Sequence, residues 1–438
     1  LGKDVATVKI YALRCRRAGR WAAAAGALAL LAGCGGGKGG AASATPSPSA
    51  AATSAAGRVL KVPSSYATIQ KAVDAARPGD MVLIAPGTYH EAVTVGDEHP
   101  RIVIRGADRN RVILDGRDAK PNGISVYADG VAVENLTVRH YQVNGVVWAA
   151  DDAYAANAQF VQGWRGSYLT AYDNGLYELY AFGAQHGQFD HVYASGGPDS
   201  GIYVGRCKPC DAVVRDSVAE ANHVGYEATN ASGGLTVVGN VFRDNRVGVQ
   251  INSLNKERGA PQTGSLLVGN LVADNQNAHA PRGSTGFGAG VVIDGGRGNT
   301  VRENRIEGNE GVGVIVLDSQ DFAAQGNTIE RNALRRNGTD LALEPGADGS
   351  AGNCFRDNDF TTSVPRDVEA RTSCGRSRAL TAAPLKLPTA PPQVDYRRVP
   401  APPAQPSMPD AATAPAAPAV GLPETVDLSH VTPPRAGR

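Results

Sequence analysis

The chain lacks a charge imbalance, a membrane-length apolar run and a helical period, and each absence removes a class of protein. Its 43 Lys and Arg stand against 42 Asp and Glu, a formal net charge of +1. A balance that close gives no electrostatic footprint for nucleic acid as the main partner. The apolar run at residues 21–31 is too short to stay in a bilayer as a spanning helix, and nothing else reads as a span. Cysteine is scarce, at 6 in 438 residues. No second CxxC or CxH partner answers Cys207-Lys208-Pro209-Cys210, so a structural zinc site is short of ligands. Thioredoxin-like chemistry needs its first cysteine at a helix N-terminus, whereas this pair follows the alternating stretch "SGIYVG". Outside the cytoplasm two thiols this close oxidise to a small loop, so Cys207 and Cys210 are expected to form a staple. The absence of a 3.6-residue period disfavours helical repeats.

What is present begins with a processing signal. Arg14, Arg16, Arg17 and Arg20 precede the apolar run, which ends in Leu31-Ala32-Gly33-Cys34 and a glycine-rich stretch. The order suits a secretory signal, and "LAGC" resembles the lipobox of bacterial lipoproteins. The resemblance implies a signal peptide over 1–33, lipid on Cys34, and a protein held by that anchor at the extracellular face of the cell membrane. An ordinary signal peptide with a chance cysteine is the alternative. Cys15 would leave with the signal. Residues 34–57, rich in Gly, Ala, Ser and Pro, read as a disordered tether, and the Pro/Ala-rich 376–438 as a disordered tail.

Between those ends the chain repeats. "GNVFRDN", "GNLVADN", "GNTVREN" and "GNTIERN" pair Asn240 with Asn245, Asn270 with Asn275, Asn299 with Asn304 and Asn327 with Asn332. Interleaved are short alternating strands opened by glycine, among them "GVVW" at Gly145, "GLYEL" at Gly175, "GIYV" at Gly201, "GYEAT" at Gly225 and "GVQI" at Gly248. Strands closed by Gly or Asn and recurring at a fixed interval are coils of a solenoid, whose core becomes continuous only by stacking. Asn and Gly suit corners because they accept left-handed backbone, and stacked asparagines bond from coil to coil without any ligand.

This repeat resembles the right-handed parallel β-helix of the pectate-lyase-like superfamily. The segment "YATIQKAVDAARPGDMVLIAPGTYHEAVTV" is similar to that superfamily's entry: a short helix presenting Ile69, Ala72, Val73 and Ala76, then a first strand over 81–85. The helix plugs an end that would otherwise expose core and strand edge. The resemblance implies an all-β, single-stranded right-handed parallel β-helix over 58–375. Cys354 and Cys374 are expected to close its C-terminal end, a link worth about 3 kcal/mol by loop entropy. The superfamily includes lyases, hydrolases, epimerases and adhesins, so fold does not name activity.

Alternation places a candidate site. Two residues after each glycine, the outward row reads Val147, Tyr177, Tyr203, Glu227, Gln250, Val292 and Ile315. Two before stand Asp173, Asp199, His223 and Arg246; Asn252 and Asp294 extend the strip. Tyrosine faces beside carboxylates equip a groove for sugar chains. Asp173, Asp199, His223 and Glu227 are the catalytic candidates for proton transfer. Tyr177, Tyr203, Arg246, Gln250 and Asn252 are the substrate-binding ones, with Arg246 suited to an acidic sugar. A solvated outer face of cross-strand pairs competes with this reading. Glu178 breaks the alternation by turning inward, so either the register slips or a carboxylate is buried. The aromatic-rich coil containing Trp148 and Trp164 reads as core packing more than as a sugar platform. No specific lyase, polygalacturonase or esterase signature and no calcium-type Asp cluster is legible. The expected protein is therefore a monomeric surface lipoprotein that binds and, if an enzyme, cleaves or modifies a polysaccharide or cell-wall glycan. The alternative is a non-catalytic adhesion or scaffold protein. Metal ligands are not expected, and cofactor, sugar and reaction are not named by the sequence.

Overall fold

The computed structural model describes residues 57–150, 158–281, 286–344, 352–372, 374 and 385–435. They wind into a right-handed parallel β-helix with sheets of 12, 11 and 10 strands running its length. One coil comprises Ser200–Gly205, Ala212–Arg215 and Val218–Glu220, contributing in turn to the eleven-, twelve- and ten-stranded sheets; the next opens at Val224–Thr229. Inward residues stack in register: Ile202, Tyr226, Val249, Val291 and Val314 follow one another and are fully buried. Trp148 and Trp164 are core residues too, packed with Phe189.

The corners explain the sequence motifs. In one ladder, Asn222, Asn245, Asn275, Asn309 and Asn337 are linked because the backbone N and the Nδ2 of each donate to the next Oδ1. A second ladder runs through Asn240, Asn270, Asn304, Asn332 and Asn358. The four Gly-Asn motifs, alike in sequence, occupy two different corners. Asn240 and Asn245 flank Val241–Arg243 of the ten-stranded sheet, whereas Asn299 and Asn304 flank Thr300–Arg302 of the twelve-stranded one. Beside the first ladder runs a column of glycines. A Cβ on Gly248 would lie 2.6 Å from the Gly290 carbonyl and 2.7 Å from Asn275 Nδ2, so the close approach requires glycine.

Both ends are closed. Helix Ile69–Asp74 buries Ile69, Ala72 and Val73, and Thr68 caps it by accepting from Lys71 N at 3.2 Å. At the far end Cys354 is bonded to Cys374, and Cys207 is bonded to Cys210 beside the middle coils. Cys34 lies outside the described residues.

The Pro/Ala-rich C-terminal segment departs from expectation. Too poor in apolar surface to fold alone, it was expected to be disordered. Residues 385–435 instead run extended along the outside of the solenoid, held by polar bonds rather than by a core. Arg105 donates to the Ala414 and Pro415 carbonyls, and Arg246 to those of Pro391 and Pro392. Prolines leave carbonyls without matching N–H groups, and the solenoid supplies the donors.

Candidate functional site

The site lies on the outer face of the eleven-stranded sheet. Register fixes one row as Val147, Tyr180, Tyr203, Glu227, Gln250, Val292 and Ile315. A parallel row holds Asn144, Tyr177, Ser200 and Val224, and a third holds Thr229, Asn252 and Asp294. The lower part is aromatic. Tyr177 stacks on Tyr180 at 4.2 Å, Tyr180 on Phe182 at 5.2 Å, and Tyr203 lies 4.8 Å from Tyr180 between ring centroids. The middle is polar, and the upper part is aliphatic, with Val247, Val292 and Ile315 beneath Leu385 and Leu387.

Glu227 is the chemical centre. Only 9 % exposed, it is hydrogen-bonded to Thr229 Oγ1 at 2.5 Å, and Thr229 Oγ1 is hydrogen-bonded in turn to Asn252 Oδ1. Burial, then the charge of Asp199, pushes its carboxyl well above the usual carboxylate range. Tyr177 is pushed up by burial and by the same two carboxylates, Asp199 before Glu227. The arrangement is a carboxyl whose proton is held more tightly than usual, beside a second acidic group and tyrosine rings: a candidate proton donor next to aromatic faces. On the strip's polar edge, burial lifts Asp294 to about 6. Tyr177, Asp199, His223, Gln250 and Asp294 are half-buried and form the reachable margin.

Most of the sequence-derived residues converge, and two do not. Tyr177, Tyr203, Glu227, Gln250 and Asn252 share this face by register, Asp199 lies near enough to act on Glu227 and Tyr177, and His223 stands at the turn just before Val224. Asp173 does not. In the coil after Gly145 the position equivalent to the glycine is Glu178, since Asn144 pairs with Tyr177 and Val146 with Leu179. Counting from Gly175 therefore places that coil three residues early (175 against 178), and Leu176 rather than Asp173 precedes the strand. Asp173 sits at the preceding corner at φ 55°, 4 % exposed, with burial and then Asp118 raising its pKa to about 7. Arg246 is in register but fully buried. Its Nε and one Nη donate to the Ala280 and Ala278 carbonyls, and both Nη to Pro391 and Pro392, so it does not face the groove as an anion clamp.

The same slip hid Tyr180 and Phe182. The signal that could have found them is the alternation in "ELYAF", where Tyr180 and Phe182 stand two and four residues after Glu178 and Leu179 and Ala181 turn into the core. Glu178 is both of the things its anomaly implied: a register slip and a fully buried carboxyl, raised well above the usual range by desolvation.

Residues 92–353 match the family described as periplasmic copper-binding protein (NosD). Among curated proteins no relative matches the chain. Among solved structures the chain is similar to the A-module of the Azotobacter vinelandii mannuronan C-5 epimerase AlgE6, at 17 % identity and TM-score 0.51, over 67 % of this chain and 90 % of that one. It is also similar to the AlgE4 A-module of the same organism (16 %, 0.48, 67 % and 91 %). An alginate lyase from Paenibacillus sp. str. FPU-7 gives 16 % identity and TM-score 0.43, over 70 % of this chain and 99 % of that one. At these identities the likeness concerns the fold.

The family description raises copper, and the donors do not fit it. Among the described residues no three His, Cys, Asp or Glu side chains are grouped so that they could hold a metal ion. Copper selects thiolate, thioether or clustered imidazole ligands. Cys207, Cys210, Cys354 and Cys374 are in disulfides, and of the two methionines Met81 is buried in an apolar cluster.

Proposed function

The chain belongs to the periplasmic copper-binding protein (NosD) family, and we propose that its β-helix binds an extracellular or cell-wall glycan on the outer face of the eleven-stranded sheet. One observation carries the reading: a buried carboxyl, next in register to Tyr203, whose pKa burial and Asp199 raise well above the usual carboxylate range, beside a cluster of packed tyrosines. Rings such as Tyr177 give a pyranose an apolar face, on the scale of ~1–3 kcal/mol by analogy with base stacking. Glu227, its pKa raised well above the usual carboxylate range, is the proton donor to a glycosidic or ring oxygen, and Asp199 is the neighbouring acidic group that receives or stabilises charge. The glycan-active modules among the structural neighbours are compatible with this reading and do not carry it.

We place the protein outside the cytoplasm, in keeping with the family's periplasmic description, and held at the membrane by lipid on Cys34. The non-catalytic adhesion reading differs in one measurable respect. Glycan-array binding together with product release from acidic polysaccharides is expected for the wild type. Glu227→Gln is expected to keep binding and lose release by about a hundredfold, the scale of one general acid. Binding without any release in the wild type would leave adhesion. No glycan binding at all would end the proposal.

A further inference from the structure

The C-terminal segment sits in a place built to receive it. Three of the bulkiest fully or almost fully buried side chains are Arg105, Arg109 and Arg246, at 0, 2 and 0 % exposed. Each directs guanidinium N–H groups at carbonyls of residues 385–435. Arg105 reaches Ala414 at 2.7 Å and Pro415 at 3.1 Å, Arg109 reaches Pro406 at 3.0 Å, and Arg246 reaches Pro391 at 3.0 Å and Pro392 at 2.9 Å. Arg109 has no carboxylate among its hydrogen-bond acceptors: the others are the Thr170 hydroxyl and the Leu169 carbonyl. Desolvation accordingly lowers its pKa to about 10. A buried cation without an anion is costly unless its N–H groups are all accepted, and here the segment supplies part of the acceptors.

Side-chain amides repeat the pattern. Asn110 exchanges two bonds with the Gln405 backbone, Asn135 Oδ1 accepts from Met408 N at 2.7 Å, and Gln188 Oε1 accepts from Glu424 N at 3.0 Å. These contacts read backbone, as recognition of an extended peptide does. The segment adds nothing to the main core, whose members end at Val368. Its apolar contributions, Leu385 and Leu387 on one face and Ala416, Ala419 and Leu422 on another, go to separate clusters on the outside.

We infer that the outer surface of this solenoid carries a polypeptide-binding track for an extended proline-rich chain, and that its occupant is the protein's own residues 385–435, held as a separable ligand. The track reaches the aliphatic upper part of the glycan strip, where Leu385 and Leu387 pack on Val247, Val292 and Ile315, and Arg246, which follows Asp199 and His223 in register, is bonded to the docked segment.

A protease site placed between residues 374 and 385 of the full chain tests this. After cleavage under native conditions, both pieces are expected to co-elute with the mass of one intact chain by light scattering. Added fluorescent 385–435 peptide is then expected to exchange into the nicked protein. Separation of the pieces after cleavage would overturn the inference, and so would a mass of two chains, which would make the occupant a second copy's segment. Arg109→Gln combined with Arg246→Gln should weaken retention at least tenfold; unchanged retention would show that the arginines do not read the segment. Because that variant can fail to fold, a peptide lacking residues 385–394 is tested on nicked wild-type protein. It should bind at least tenfold more weakly, and equal binding would likewise count against the track.

Discussion

Asp173→Asn is expected to stabilise the protein above neutral pH and to leave it unchanged in acid. Asp173 is 4 % exposed, and burial followed by the charge of Asp118 lifts its pKa from 3.8 to about 7 against the opposing pull of Arg139. The folded state thus holds this proton more tightly than the unfolded chain. Its contribution is intact below about pH 4, declines as pH rises toward 7, and beyond that the folded state carries the full cost of a buried charge. A separation of about three pH units, at ~1.4 kcal/mol each, puts that cost at ~4 kcal/mol. Asparagine has the same shape, tolerates the left-handed backbone that Asp173 adopts at φ 55°, and does not ionise. Urea unfolding at pH 4 should give coincident curves for the two proteins, and at pH 8 the variant's midpoint should move up. Equal destabilisation at both pH values would refute the reasoning, since the carboxyl would then make a contact that an amide cannot. Product release from a glycan should be unaffected, because Asp173 stands at a corner away from the groove.

Asn275→Ala should cost ~1–3 kcal/mol in urea unfolding, the scale of one buried unpaired group, because it strands the backbone N of Asn245 and takes one of two partners from Asn245 Nδ2 and from Asn309 Oδ1. Gly248→Ala should destabilise by ~2 kcal/mol or more, since its Cβ would meet the Gly290 carbonyl at 2.6 Å; a neutral result would show that the coils can part at that column. Cys34→Ala should shift the protein from the membrane fraction to the soluble extracellular one, and unchanged partition would remove the lipid anchor.

The solenoid was legible because its signals are local and repeat. Alternation, corner glycines and paired asparagines each follow from one coil's needs, and stacking forces every coil to restate them. What could not be read was which corner each motif occupied. "GNVFRDN" and "GNTVREN" each meet the same left-handed demand, Gly239 at φ 67° and Gly298 at φ 60°, yet at different corners, flanking strands of different sheets. The C-terminal segment was opaque for the opposite reason. Its sequence holds no period because its order is imposed from outside, by Arg105, Arg109 and Arg246, whose own positions gave no sign that they faced a chain some 145 to 310 residues away.

The slip at the candidate site has a physical cause that can be followed to one residue. Wherever a coil offers an asparagine to the ladder beside the glycine column, its N and Nδ2 need an oxygen from the coil above. Above Asn174 the ladder position is Gly197, which has no side chain and whose own N donates to Asn222 Oδ1. The missing oxygens come from Glu178, whose carboxylate accepts from Asn174 N at 3.0 Å and from Asn174 Nδ2. Glu178 reaches them because it stands in the column where other coils carry glycine, so its substitution there and the gap at Gly197 compensate one another. A count of glycines necessarily misses that coil and takes Gly175 as the marker. Asp340 closes the same ladder in the same way, with its Oδ1 accepting from Asn337 Nδ2 at 2.9 Å at a position where Gly313 precedes it by one coil. Carboxylates in the glycine column therefore belong to the scaffold, and Glu227, two residues beyond its glycine and facing outward, belongs to the groove.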